Sequence, residues 1–503
     1  MSHISKRAFI AIALMLFSMF FGAGNFIFPP FLGSQAGSST HIAIFAFCLT
    51  AVLFPVLGIA AFAKANGLYN LASRVSHRFA IIHSVALLLI IGPLFAIPRA
   101  GNMPFELTIK PFLETDLQIS WMPLFIYSIV YFIINYFLCQ NLTRIIEALG
   151  KILTPLLLIL ITVLFIAAFI NPMHEGAVLE PIAGYETAPI IKGVLEGYQT
   201  MDALASLSFG LVVLLAFRKI GVEDERSVVK YTIGAGVLAG IILAAIYLML
   251  AYVGMHSFGL FKFSGNLDEM IKVFENGTKL YILEGSNPHL LALYNMPDVL
   301  NNAELLKSEL AAVYQSGATI FMAPQNGAEI LANVTNHLFG SFGNIVLGTT
   351  IGLACLTTTV GLISAASEYF ASLTSIKYRS WVIIWCVISS IIANAGLTQI
   401  IQYGVPILGV IYPISLVFIV LSLVNGIIKS DKVIYNVTAY VTLIISVIHT
   451  LQYSFGLKIP LIADLFAFLP FYSGGLGWVI PALIAMVVCY IFRKSKLDPT
   501  ITH

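Results

Sequence analysis

Phe20-Phe21-Gly22-Ala23-Gly24-Asn25-Phe26-Ile27-Phe28-Pro29-Pro30 lies inside an apolar run that begins at Ala8 and ends near Leu32. Such a run is long enough to cross a bilayer as a helix, which takes about 20 residues. Two glycines and an asparagine stand at its middle, where an ordinary spanning helix carries leucine. Glycine costs roughly 1 kcal/mol relative to alanine inside a helix. An unwound turn also frees backbone N–H and C=O groups that lipid cannot satisfy. A break is tolerated where it faces a protein cavity, and there it becomes a site. The half-helix starting near Asn25 would point N–H groups and a positive dipole end at that cavity, which suits a carboxylate. The half-helix ending near Phe21 would offer carbonyl oxygens, which suit a small cation. Broken helices at the membrane midplane are the pattern of secondary transporters. The alternative is a kinked packing helix whose glycines let a neighbour approach closely.

Composition places the rest of the chain. Of 503 residues, 59% are hydrophobic and 10% charged, against about 25% charged in soluble domains. This is a polytopic membrane protein, and its net charge of +2 carries no suggestion of a nucleic-acid partner. Cys48, Cys139, Cys355, Cys386 and Cys489 fall in apolar spans without metal-site spacing, so all five are expected as buried free thiols. Lys6-Arg7 before an apolar run imitates a signal peptide. No small-residue cleavage site follows, and the run continues, so a retained first helix is expected.

Apolar spans fall near 8–33, 41–63, 79–98, 120–139, 152–170, 190–216, 230–256, 344–370, 381–399, 403–424, 433–453 and 475–492. The expected fold is therefore all-α with about 12 transmembrane helices. Placing the N-terminus in the cytoplasm puts most of the 26 Lys and Arg on the inside, so the positive-inside rule selects both termini cytoplasmic. The longest loop, about 257–343, is then extracytoplasmic. It is polar up to Glu309, and the more apolar stretch from Gly317 to Phe339 is expected as short helices over the external mouth.

A second break is expected in span 6, at Leu195-Glu196-Gly197-Tyr198-Gln199-Thr200-Met201-Asp202-Ala203-Leu204-Ala205-Ser206-Leu207-Ser208-Phe209-Gly210. Ser18-x-x-Phe21-Gly22 in span 1 is echoed by Ser206-x-x-Phe209-Gly210 here. The two spans run in opposite directions and each opens a set of five. That is the appearance of an inverted five-helix repeat, one copy over about 8–170 and the other over about 190–424, followed by two further helices over about 433–492.

Asp202 is the costliest residue to bury. A bare carboxylate at mid-bilayer costs at least about 2.5–3.5 kcal/mol, so function is its default reading. Cation binding, binding of a substrate amine and proton carriage are all open to it, as is a structural role at the break. Glu196 is expected nearer the outer face. Arg99 and Glu106 stand at the outer end of span 3, after Gly92-Pro93-Leu94-Phe95-Ala96-Ile97-Pro98. They read equally as half of an external gate or as an interfacial ion pair, and Pro98 and Pro104 argue against a continuous helix between them. Thr357-Thr358-Thr359 in span 8 cannot all face lipid, and adjacent hydroxyls can aim at one point. Oxygen-only ligands suit Na⁺ or another hard cation. No phosphate loop, Cys/His metal cluster, nucleophile elbow or dinucleotide fingerprint is found. Neither an enzyme nor a cofactor is expected, and a channel would need a continuous polar lining.

Phe21-Gly22-Ala23-Gly24-Asn25 with Phe28-Pro29-Pro30, Gly92 to Arg99, Glu196-Gly197-Tyr198 with Thr200-Met201-Asp202, Ala354-Cys355-Leu356-Thr357-Thr358 with Gly361-Leu362, Ala366-x-Glu368-Tyr369-Phe370, and Gly396-Leu397-Thr398-Gln399 together resemble the bacterial branched-chain amino acid carrier family. The resemblance runs from Ala8 to about Val424. It implies a cation-coupled symporter for leucine, isoleucine and valine in the bacterial inner membrane, with the broken-helix five-plus-five fold. The stretch from about Ser257 to Ala323 departs from it by being longer than the family leads one to expect. More distantly, Gly22-x-Gly24-Asn25 and Ala354-x-x-Thr357-Thr358 resemble the unwound helix and helix 8 of sodium symporters of the neurotransmitter type. That likeness implies a Na⁺ site built from the Ser18, Phe21 and Ala354 carbonyls and the Thr357 and Thr358 hydroxyls. It also sets Asn25 against a second ion beside the substrate carboxylate. From the free helix N-terminus after the break, the substrate site is expected with its carboxylate at Ala23, Gly24 and Asn25, and with Tyr198, Asp202 and Ser206 contributing from span 6. Na⁺ is expected as the coupling ion, with a proton-coupled carrier of another small zwitterion, its proton at Asp202, as the rival reading.

Overall fold

Inside a bilayer each backbone N–H and C=O must bond within its own segment, and a chain this apolar therefore folds as helices. The computed structural model describes all residues except 1–3, 66, 114–119, 172, 174–178, 276–277, 285–286, 291–302, 430, 458–465, 467 and 498–503. Its membrane-type helices are α1 (Lys6–Phe20), α2 (Ala23–Ala36), α3 (40–65, with a wide turn at Leu49–Leu53), α4 (His77–Thr108), α5 (Trp121–Leu138), α6 (Leu142–Ile170), α7 (Pro189–Thr200), α8 (Asp202–Lys219), α9 (Glu225–Met255), α10 (Gly327–Leu373), α11 (Tyr378–Ala393), α12 (Leu397–Leu423), α13 (Lys432–Tyr453) and α14 (Val479–Leu497). A helix lies on each apolar stretch read from the sequence. Among the described residues, seven helices are long and apolar enough to cross a membrane, or eight if the bent pair α7–α8 is one span.

Large apolar side chains point outward all along these helices: Phe45, Trp121, Phe137, Phe169, Ile391 and Phe492 are exposed. Polar groups do the reverse, with Asn25, Arg99, Asn102, Gln199 and Asp202 all buried. This inside-out distribution is what a hydrocarbon solvent selects, since a polar group there needs protein partners. The five cysteines are free thiols, Cys139, Cys355 and Cys386 buried and Cys48 and Cys489 partly so.

Both expected breaks exist. α1 stops at Phe20, and Phe21 (φ −76°, ψ 82°) and Gly22 (φ −113°, ψ −163°) leave the helical region before α2 begins. α7 and α8 meet at Met201, which sits in the left-handed region (φ 65°, ψ 12°), and the axes bend by 40° there. Glycine does not make this second break. Gly197 lies inside α7, where a Cβ would fall 2.0 Å from Thr50 Oγ1 of α3, and Gly210 lies well inside α8. The Ser-x-x-Phe-Gly echo consequently marks the break in span 1 but not the one in span 6.

α4 runs on through Thr108, past the point where the prolines were expected to stop it. It has its own break at Gly92 (φ −102°, ψ −126°), and helix resumes at Ala96. Pro98 thus falls in the first turn of the resumed segment, where the amide has no intrahelical partner to lose. α2 packs on α9 almost backbone to backbone, and a Cβ at Gly254 would lie 1.9 Å from the Pro30 carbonyl oxygen.

The all-helical expectation needs one amendment, in the long loop. β1 (Leu280–Glu284) pairs antiparallel with β2 (Asn287–Leu290) and β3 (Ile320–Met322), giving the order β2-β1-β3. Two helices, Leu267–Glu275 and Ala303–Gln315, cover the sheet around a small core of Met270, Phe274, Leu280, Leu310 and Ile320. The apolar stretch from Gly317 therefore supplies a strand before it turns helical at Gly327. That helix starts on α2, since a Cβ at Gly327 would be 1.8 Å from the Ile27 carbonyl oxygen, and it kinks at Gly340 (φ 65°) before the long apolar segment of α10.

Candidate substrate and ion site

The two breaks face each other and are tied together by side chains. At the first, the Gly22 N–H would bond the Ser18 carbonyl in an unbroken helix. It donates instead to the Phe20 carbonyl (2.8 Å) and to Asn25 Oδ1 (3.0 Å). The Asn25 N–H, which would bond the Phe21 carbonyl, goes to Gly22 O at 3.2 Å. The break thus frees the Ser18 and Phe21 carbonyls from their helical donors. It also leaves the Ala23 and Gly24 amides at the start of α2, where no intrahelical acceptor precedes them.

Asn25 uses its other end to reach the second break. Its Nδ2 donates to Asp202 Oδ2 at 2.6 Å and also to the Tyr247 hydroxyl, which itself donates to Asp202 Oδ2 at 2.9 Å. Asp202 is 2% exposed and is the first residue of α8, so its carboxylate also meets the positive end of that helix. On the opposite side of the break, Arg99 of α4 donates through Nη1 to the Gln199 carbonyl at 2.5 Å, and through Nη2 to the Thr200 carbonyl at 3.5 Å. Those carbonyls form the negative end of α7. Each half-helix of span 6 therefore ends on a side chain of the complementary charge.

Between the breaks lies a cavity of about 30 Å³. One part of its wall is polar, with Gly22 to Asn25, Arg99, Thr200 and Asp202. The remainder is apolar and includes Met19, Phe20, Ile91, Ala205, Phe209 and Leu362. Thr358 of α10 completes the wall beside the first break, where a Cβ on Gly22 would sit 3.2 Å from Thr358 Oγ1. A charged head with a short aliphatic tail matches this division.

The chain matches the family described as branched-chain amino acid transport protein over residues 5–294 and 304–496. It belongs to that family. The branched-chain amino acid transport proteins are transporters, so this chain is a transporter and not an enzyme. It is 36% identical over 492 residues to the branched-chain amino acid permease BrnQ of Bacillus subtilis, covering 97% of each chain. It is 37% identical over 488 residues to the permease BraB of the same organism, covering 96% of this chain and 94% of that one. It is 33% identical over 501 residues to the branched-chain amino acid transport system 2 carrier protein of Pseudomonas aeruginosa, covering 99% of each. Among solved structures it is similar to Mhp1, a nucleobase-cation-symport-1 family transporter, at 14% identity and a TM-score of 0.48, covering 98% of this chain and 94% of that one. The family match includes most of the long loop, which was expected to depart from it; only residues 295–303 of that loop fall outside.

Within this transport-protein site, the residues read from the sequence divide clearly. Ala23, Gly24, Asn25 and Asp202 line the cavity. Tyr198 and Ser206 do not. Tyr198 stacks on Tyr412 of α12, ring centroids 4.2 Å apart, and Ser206 donates to the Ala203 carbonyl with its hydroxyl lodged against Gly58 of α3. Of the five atoms expected around a cation, the Phe21 and Ser18 carbonyls are released as described. Thr357 and Thr358 both donate to the Ala354 carbonyl, at 2.7 and 3.2 Å. A hydroxyl that donates keeps its oxygen lone pairs for a cation, whereas the Ala354 oxygen is already accepting twice. Arg99 and Glu106 do not pair. Glu106 bonds Lys110 at 2.8 Å, one turn along, while Arg99 is buried at the second break rather than at the mouth. Tyr247 was missed, although a tyrosine in the middle of an apolar span must find a partner for its hydroxyl, and that alone singles it out.

Proposed function

We propose that this transporter imports leucine, isoleucine and valine across the bacterial cytoplasmic membrane by symport with Na⁺. It would do so with about twelve crossings, both termini cytoplasmic, and two inverted five-helix repeats over about 8–170 and 190–424. The observation that carries the reading is the cavity at which the α2 N-terminus, Asp202 and Thr358 meet an apolar wall. The substrate carboxylate seats on the Ala23 and Gly24 amides, with Asn25 beside it. The substrate ammonium lies toward Asp202 and the Thr200 carbonyl. The branched side chain takes the wall of Phe20, Ile91, Phe209 and Leu362. One methylene is discriminated in an apolar pocket by only about 1–3 kcal/mol, so the three amino acids share the site. Na⁺ is held by the Ser18 and Phe21 carbonyls and the hydroxyls of Thr358 and Thr357, with the Ala354 carbonyl able to join once its two hydroxyl donors turn away. One charge moving down roughly 100 mV gains about 2.3 kcal/mol, and a tenfold Na⁺ gradient adds about 1.4 kcal/mol. Together these support accumulation of several hundred-fold for one ion per substrate.

The buried Asp202 carboxylate favours one rival, in which a proton on Asp202 is the coupling ion. Purified protein in liposomes separates the two. An inward Na⁺ gradient at fixed pH is expected to drive leucine uptake that isoleucine and valine inhibit. Uptake that follows a pH gradient and ignores Na⁺ moves the coupling to Asp202, and an absence of uptake of all three amino acids rejects the substrate assignment.

A further inference from the structure

Arg99 has no task in the reading above. Its side chain is 3% exposed and lines the same cavity as Asp202. A formal cation at membrane depth is costly unless its surroundings compensate it. The compensation here is partial. Nη1 has a short bond to Gln199 O, and the faces of Phe28 and Phe95 lie 5.3 and 5.1 Å from the guanidinium carbon. But the bond from Nη2 to Thr200 O is 3.5 Å, at the limit for a hydrogen bond, and Nε is buried without a partner. A guanidinium carries five donors in a planar fork that matches a carboxylate. The fork is directed at the start of α2, where a Cβ on Gly24 would lie 2.6 Å from Nη2 and 3.2 Å from Cζ. Glycine is required there to let the guanidinium approach the helix N-terminus. Two groups that seek an anion, the free amides of α2 and an under-bonded buried guanidinium, therefore converge on one point of the cavity wall.

We propose that Arg99 is a receptor for the substrate carboxylate, acting together with the α2 N-terminus. This rests on the reading that the cavity takes an amino acid. When the carboxylate arrives, the guanidinium exchanges its long contact with Thr200 for a charged pair. Arg99 and Asp202 then meet the two ends of one zwitterion. The site selects α-amino acids with a free carboxylate and rejects the amide and the decarboxylated amine of the same side chain.

Detergent-purified protein in saturating Na⁺ tests this by competition between labelled leucine and unlabelled leucine, leucinamide or 3-methylbutylamine. Wild-type protein is expected to prefer leucine over leucinamide by about 100-fold. In Arg99→Gln, leucine binding should weaken by about 10- to 100-fold, the range for a hydrogen bond to a charged partner. Leucinamide binding should stay close to wild type, so the preference collapses. Arg99→Lys, which keeps the charge and loses the fork, should fall between. An arginine that only held the fold would weaken both ligands alike, and that result overturns the proposal, as does a glutamine variant with wild-type affinity and preference. If Arg99→Gln does not accumulate, Arg99→Lys decides: a reduced preference supports the receptor and an unchanged one overturns it. Wild-type protein that binds leucinamide as well as leucine overturns the receptor but leaves branched-chain binding standing, whereas wild-type protein that binds no branched-chain amino acid overturns both.

Discussion

Asp202 accepts hydrogen bonds from Asn25 Nδ2 and the Tyr247 hydroxyl, both at the same oxygen, Oδ2. It thereby holds α2, α8 and α9 to one point, which is a structural task, and it stands at the cavity wall, which is a functional one. Removing the charge while keeping the shape separates the two. Asp202→Asn can still accept through its carbonyl oxygen, so the link to Asn25 and Tyr247 survives and membrane levels should be normal. The negative charge opposite Arg99 is gone, however, and leucine uptake should be lost or become insensitive to the coupling cation. Uptake in membrane vesicles, normalised to the amount of inserted protein, checks this; an Asp202→Asn protein that fails to accumulate in the membrane would make the role structural.

Breaks in helices are visible in sequence when glycine makes them and nearly invisible when tertiary contacts do. Gly22 and Gly24 point straight at the α1–α2 break because each stands where a neighbour approaches closely, the Thr358 side chain at Gly22 and the Arg99 guanidinium at Gly24. The α7–α8 break was placed in the right span by Asp202, whose burial needs an explanation, but the glycines quoted for it pack against α3 instead, and the turn itself falls on Met201. A left-handed methionine costs on the order of 1 kcal/mol, and the Arg99 and Asp202 contacts on its two sides supply the compensation. Those contacts join residues about 100 and 177 positions apart, and the Tyr412 on which Tyr198 stacks lies farther along the chain still, so no local pattern encodes them. The threonine run of α10 was singled out because hydroxyls at membrane depth must point at something, and of its three members Thr358 lines the cavity. Its test is Thr358→Val, which keeps volume and removes one oxygen beside Gly22. The Na⁺ concentration for half-maximal leucine uptake should rise by about tenfold, in line with the loss of about 1.4 kcal/mol, with a smaller change in leucine affinity at saturating Na⁺. Unchanged Na⁺ dependence in both Thr357→Val and Thr358→Val would refute a cation site at this place.

Transport requires the cavity between the breaks to open to each side of the membrane in turn. Binding therefore has to shift the whole molecule between arrangements, and a ligand can do so only through a difference in its affinity for them. The proposed cation site spans α1–α2 and α10, and the proposed carboxylate site spans α2, α4 and the end of α7. α2 and the break before it are common to both, so an ion that fixes the break in one geometry prepares the amides that the carboxylate needs. The coupling is then an equilibrium property, and it must be reciprocal: the factor by which Na⁺ tightens leucine equals the factor by which leucine tightens Na⁺. A coupling in the common range of about 1–3 kcal/mol predicts a mutual effect of roughly 5- to 150-fold. Leucine dissociation constants in zero and saturating Na⁺, set against Na⁺ constants in zero and saturating leucine on the same detergent-purified protein, give the two factors independently. Equal factors well above one are expected. Factors near one would mean that the cation site and the cavity do not share the break, and the Na⁺ gradient would then have no route through α2 to the substrate.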